Sequence, residues 1–148
     1  MLQTLPPSDP FSSPASFRVD EWSMIRRTIL HVLLVGPAAS VNPALARLHP
    51  HLRGPVSYWR PTVATEPPWT TRGALVIWDV DTLDGEQQER LLAWMEGRGA
   101  NVQMVSIAER PVFPLVCQKV FLEALYYRLN TLYVTLEDGP DDLHHTAA

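Results

Sequence analysis

Apolar residues along this chain fall into two patterns: short unbroken runs, and positions spaced three and four apart. The unbroken runs read as strands. One extends from Ile29 to Val35 and another is "GALVIWDV", Gly73 to Val80. A continuous apolar run that ends at a turn or an acid is the form of a parallel strand covered on both faces. "NVQMVSI" and "TLYVTL" supply two more strands. "PVSYWRP" is extended between two prolines, and since proline donates nothing to a ladder it belongs at a sheet edge or its margin.

Between these runs the spacing becomes helical. "DEWSMIRRTI" puts Trp22, Ile25 and Ile29 on one side of a short helix. "NPALARLHPHL" reads as a helix capped by Asn42, opened by Pro43 and stopped at His49 by Pro50. Asp84 caps a further helix with Gln87 at the capping-box position; Leu91, Leu92 and Met95 form its buried stripe until Gly97 and Gly99 end it. Phe121, Leu122, Leu125, Tyr126 and Leu129 share one face of the last helix. This alternation predicts an α/β fold, a doubly wound parallel sheet, with no internal repeat.

Composition narrows the class. A chain of 148 residues, 46% hydrophobic with five Trp, suits one packed domain and excludes a disordered chain. The expected organisation is a flexible Pro/Ser-rich arm over 1–16, a single domain over 17–136, and an acidic flexible tail over 137–148. A net charge of -4, with eleven Arg scattered and a single Lys, leaves no basic face for direct nucleic-acid binding. No signal pattern or bilayer-length apolar run is present, so the expected compartment is the cytoplasm, with no membrane partner. Cys117 is expected to be a small packing residue. His49, His51, His144 and His145 read as surface histidines without a ligand set, so no metal is expected.

Two places invite chemistry. In "LLVGPAASVNPAL" a glycine follows a strand and precedes a helix, the setting of a phosphate loop. Such a loop needs glycines at positive φ and a lysine. Gly36 is present, but Ala39 and Val41 stand where later glycines belong, and Asn42 stands where the lysine belongs. A β-branched residue resists the left-handed backbone, so the residues favour a helix start over a phosphate cradle. Asp79, an acid at the C-terminal end of a strand, is the second place. An ATPase divides its work there between two acids, and the residue before Asp79 is Trp78.

"RGALVIWDVDTLDGEQQERLLAWME" resembles the Walker B strand and following helix of the AAA+ ATPase domain in bacterial sigma-54 activators, of the form GGTLFLDEI and then QxxLLRxLxE. "VQMVSIAERP" is similar to that family's sensor strand, VRxIAATNR, and "FLEALYYRLNTLYVTL" to FRxDLYYRLNVxxIxL, identical over Leu125 to Asn130. The resemblance runs from about Ser13 to Leu136 and implies a truncated P-loop NTPase or AAA+ type core of three layers, αβα. On this pattern the Walker A lysine becomes Asn42, the Mg²⁺-linked acid Trp78, the catalytic Glu Asp79, and the sensor Asn Glu109. Of two arginines that the family directs at a neighbouring subunit's ATP, one position holds Leu122 and the other keeps Arg128, beside Tyr127. Eleven residues separate Pro61 from Gly73, where the family inserts its sigma-contacting GAFTGA loop. The helical lid and the helix-turn-helix are also expected to be missing.

These departures remove phosphate neutralisation, metal binding and water positioning, which make up nearly all of phosphoryl-transfer catalysis. The expectation is a pseudo-ATPase without catalytic residues, without a cofactor and with weak or absent ATP binding, acting through protein contacts. An active AAA+ activator or a second copy is the expected partner, with Tyr127 and Arg128 as the possible interface. A pseudo-receiver, with Asp79 as phosphoacceptor, or a sensor of nucleotide or another small ligand without hydrolysis is the alternative. A receiver sets its first strand next to the sheet edge, whereas the AAA+ arrangement sets it between later strands.

Overall fold

The computed structural model describes residues 29–136. The arm, the "DEWSMIRRTI" helix apart from Ile29, and the acidic tail lie outside the described residues. In chain order the elements are β1 (Val32–Val35), α1 (Ala38–Leu48), a 3₁₀ turn (His49–His51), β2 (Val56–Trp59), β3 (Ala74–Ile77), and a second 3₁₀ turn (Val80–Thr82). They continue with α2 (Gly85–Glu96), β4 (Gln103–Ala108), α3 (Phe113–Cys117), α4 (Glu123–Leu129) and β5 (Leu132–Thr135). The strands form a single sheet in the order β2-β3-β4-β1-β5, and every neighbouring pair is parallel.

This order separates the two fold expectations. β1 lies between β4 and β5, both later in the chain, with Val32 opposite Val105 on one side and Leu132 on the other. In a receiver β1 pairs with β2 and β3. β5 is itself an edge, so it is the identity of β1's neighbours that decides against the receiver arrangement. "PVSYWRP" supplies β2, which is an edge strand, as its prolines require.

The strands alternate their side chains between two apolar layers. Leu33, Val35, Leu75, Ile77 and Met104 face α2 and α4 through Leu91, Trp94, Met95, Leu125 and Leu129. Val32, Leu34, Val76, Val105 and Ile107 face α1 through Val41, Ala44 and Leu48. Most of these side chains are fully buried, at about 25 cal/mol per Å² removed from water, which makes the αβα sandwich the main source of stability. The capping box on α2 forms as the sequence requires: the Gln87 amide donates to Asp84 Oδ1 at 2.8 Å, and the Asp84 amide donates to Gln87 Oε1 at 3.0 Å.

The expected start of α1 is wrong by a full turn. Pro37, not Asn42, takes the cap position, and its carbonyl accepts the amides of Ser40 and Val41, each at 2.9 Å. Asn42 and Pro43 lie inside the helix. Pro43 has no amide to complete the bond to the carbonyl four residues earlier, a defect of about 3 kcal/mol in a helix interior, offset by full burial of Val41, Ala44 and Leu48. Cys117 is exposed at the end of α3 instead of packed. β1 is shorter than the apolar run because His31 enters the ladder with its side chain: the Met104 amide donates to His31 Nδ1 at 3.1 Å.

Gly36 has a packing explanation. A Cβ there would lie 2.6 Å from the carbonyl oxygen of Leu136, whose own amide donates to Val35 O at 2.7 Å. Gly36→Ala is therefore expected to destabilise the fold by roughly 1–3 kcal/mol through overpacking against backbone, measured by urea denaturation. A variant as stable as the parent would remove this explanation of the glycine.

Candidate functional site

Because β3, β4 and β1 are adjacent and parallel, the residues that follow them share the C-terminal end of the sheet. Those residues are Asp79, Glu109 and Gly36, the positions singled out in the sequence. Loop ends of this kind are where α/β sheets hold ligands. A phosphate loop would turn successive amides inward there. In this chain Ala38 to Val41 are wound into α1, the Ser40 and Val41 amides are bonded to Pro37 O, and the Gly36 amide donates to Ala108 O at 3.0 Å. Asn42 sits on the exposed side of α1.

Asp79 adopts a left-handed backbone, φ 57° and ψ 46°, a conformation that Asp tolerates better than most residues. Thr82 fixes this turn, donating to the Asp79 carbonyl from its amide at 2.9 Å and from Oγ1 at 2.6 Å. The Asp79 carboxylate faces an arginine: Arg60 Nε lies 3.7 Å from Oδ2. The same guanidinium sits over the Trp78 ring, 4.7 Å from its centroid. Trp78 and Asp79 thus both meet one cation from the end of β2. Nearby, burial pushes the Asp81 carboxyl above its usual range, and the charges of Asp79 and Glu109 push the same way against Arg110. The amides of Ser40 and Val41 are bonded to Pro37 O, and the Asp79 carboxylate is turned toward Arg60. Among the described residues no group of three His, Cys, Asp or Glu side chains is placed to hold a metal.

Tyr127 and Arg128 are not part of this end. α4 runs back to the start of β5, so they lie near the N-terminal end of the sheet, a strand length of about 13 Å away. Tyr126 is buried, and the exposed Tyr127 ring stands edge-on to it at 5.2 Å. Arg128 is exposed and pairs with Glu96 on α2, Nη2 to Oε2 at 3.2 Å. Its charge also bears on His31, whose pKa falls to about 4, first through burial and then through Arg128.

One feature that sequence reading missed is a groove of about 460 Å³ beyond β2, lined by Tyr58, Arg60, Val63, Pro67, Pro68 and Trp78 among others. The Pro61–Arg72 connection is tucked in to form its wall. The Trp59 indole N–H donates to Ala64 O at 2.7 Å, and Trp69 packs on Trp94 at 5.5 Å between centroids. Arg90 grips Glu66 with two hydrogen bonds of 2.7 and 2.9 Å, which hold the Glu66 carboxyl below its usual range. The signal was the cluster of aromatic, cationic and proline residues in "SYWRP" and "EPPW", of which the first was read only as a strand at a sheet edge or its margin.

No protein-family model matches the sequence, and no curated protein matches it significantly. Solved structures do. The P-loop NTPase domain of the sigma-54 transport activator from E. coli superposes with a TM-score of 0.62 at 18% identity, over 82% of this chain and 92% of that one. This chain shares the fold of that P-loop NTPase domain. NtrX from Brucella abortus in complex with ATP gives a TM-score of 0.63 at 16% identity, over 93% of this chain and 38% of that one. Its complex with ADP gives 0.61 at 18%, over 82% and 36%. The chain spans little more than a third of NtrX. Among the described residues no helix is long and apolar enough to cross a membrane.

Proposed function

We propose that this AAA+ fold serves as a non-catalytic pseudo-ATPase module, a regulatory protein-interaction domain that neither holds nor hydrolyses ATP. The observation that carries the reading is the winding of Ala38 to Val41 into α1, where a nucleotide-binding chain needs a loop of inward-facing amides. Arg60, poised over Trp78 and beside Asp79, supports it by placing a fixed cation where a catalytic site needs a metal and an activated water.

The fold likeness to sigma-54 activator domains suggests an active activator subunit as the partner, with the exposed Tyr127 and Arg128 as the contact. In that complex Arg128 leaves Glu96 and stands at the neighbour's nucleotide, as the arginine of the "YYRLN" motif does in the resembling family. Adding the purified chain to such an activator is expected to change its hydrolysis rate and oligomer size, and Arg128→Ala is expected to abolish the change in rate. Unaltered hydrolysis and unaltered oligomer size would contradict this partner assignment.

A further inference from the structure

β2 pairs on one side only. The Ala74 amide donates to Pro55 O at 3.0 Å and the Trp78 amide to Trp59 O at 2.9 Å. In a parallel ladder this phase turns the backbone groups of Pro55, Ser57 and Trp59 toward β3 and those of Val56 and Tyr58 away from it. Among the described residues the amides and carbonyls of Val56 and Tyr58 have no partner. Sheet edges are ordinarily blunted by a charge or a bulge. Between Val56 and Trp59 there is no charged residue, and the register with β3 is unbroken.

The groove follows this edge. Alternation sends Tyr58 and Trp59 to opposite faces of the sheet: the Tyr58 ring is stacked on His49 at 6.3 Å, while Trp59 is bonded to Ala64 of the Pro61–Arg72 connection. A groove lined by both therefore wraps the outer side of the strand. Its walls are apolar on both faces, with Tyr58 50% and Val63 80% exposed. Arg60 stands at its C-terminal end. That guanidinium meets Asp79 only through Nε at 3.7 Å, is stacked on Trp78, and has a side chain 45% exposed. Among the described residues its terminal nitrogens have no acceptor.

We propose that the outer edge of β2 receives a short extended segment of a partner protein by strand addition, apolar where it faces Tyr58 and Val63 and carrying an Asp or Glu where it passes Arg60. The added strand lies about 4.8 Å from β2 and bonds to the open groups of Val56 and Tyr58. Its alternate side chains pack on Tyr58 from one face and on Val63 from the other. The carboxylate takes the terminal nitrogens of Arg60, a charge-assisted pair that fixes the register. Charge also decides against a second copy of β2 as the occupant, since "LRGPVSYWRPTV", residues 52–63, contains no acid to offer Arg60. This surface is at the opposite edge of the sheet from β5, and the inference is independent of nucleotide binding and of the Tyr127 and Arg128 contact.

The test is selection of random displayed peptides on the full-length chain. The enriched sequences are expected to be apolar and β-branched with an acid at one fixed position, and on the Arg60→Glu variant that position is expected to change to a base. One selected peptide is then synthesised with N-methyl groups on the amides that face β2, which alters no residue of the protein and guards against misfolding of the variant. This methylation is expected to weaken binding at least about tenfold, and methylation of the intervening amides to leave it nearly unchanged. Binding of the unmethylated peptide is expected to slow hydrogen exchange at the Val56 and Tyr58 amides. Absence of enrichment over a blank surface, selected peptides that leave exchange at Val56 and Tyr58 unchanged, or burial of this edge by self-association of the chain would overturn the inference.

Discussion

Replacing Gln88 with alanine is expected to cost about 4 kcal/mol and to lower the melting temperature by about 15 °C. Gln88 is 1% exposed on α2. Its Nε2 donates to the carbonyls of Leu83 at 2.9 Å and Val120 at 3.0 Å, and its Oε1 accepts the Leu122 amide at 2.7 Å. One side chain thus ties the turn before α2 to the segment that opens α4. Truncation orphans three backbone groups, each costing about 1–3 kcal/mol when buried, with some relief from relaxation. Gln88→Met, of similar volume but without the amide, is expected to lose nearly as much. A loss below about 1 kcal/mol in both variants would mean that these bonds are dispensable.

His31 is expected to make the fold lose stability on mild acidification. The imidazole accepts the Met104 amide at Nδ1 and is neutral in the fold, because burial and the charge of Arg128 lower its pKa from 6.5 to about 4. A base with a depressed folded pKa takes up its proton more readily when unfolded. Its contribution is complete above about pH 6.5 and is lost as the pH falls toward about 4. At 1.36 kcal/mol per unit, discounted for partial exposure, the loss is about 2–3 kcal/mol. His31→Gln, with an oxygen in reach of the Met104 amide, is expected to flatten the stability profile over that window. Urea denaturation between pH 7 and pH 4 measures it, and parallel profiles for parent and variant would rule out His31 as the titrating group.

The strands and the α2 cap were legible because their causes are local. Continuous apolar runs mark strands buried on both faces, and Asp84 and Gln87 satisfy each other within three residues. Asn42 misled for the opposite reason. It is a good cap by type, but Pro37 starts α1 earlier because Val41, Ala44 and Leu48 must all reach the sheet. Gln88 was invisible as an anchor, since two of its three bonds reach Val120 and Leu122, more than thirty residues away. The groove escaped notice likewise: Arg60 and Trp78 come from different strands and meet only when β2 pairs with β3. Gly36 was read as the remnant of a phosphate loop, and its packing against the backbone of Leu136, more than ninety residues on, was not visible in the sequence.

The measurement that bears most directly on the central claim is titration of the purified chain with a fluorescent ATP analogue, with and without Mg²⁺, followed by a turnover assay. With Ala38 to Val41 in helix and Arg60 at Asp79, the account predicts no saturation at millimolar nucleotide, no effect of Mg²⁺ and no phosphate release. Saturable micromolar binding strengthened by Mg²⁺, or phosphate release abolished by Asp79→Asn, would contradict it.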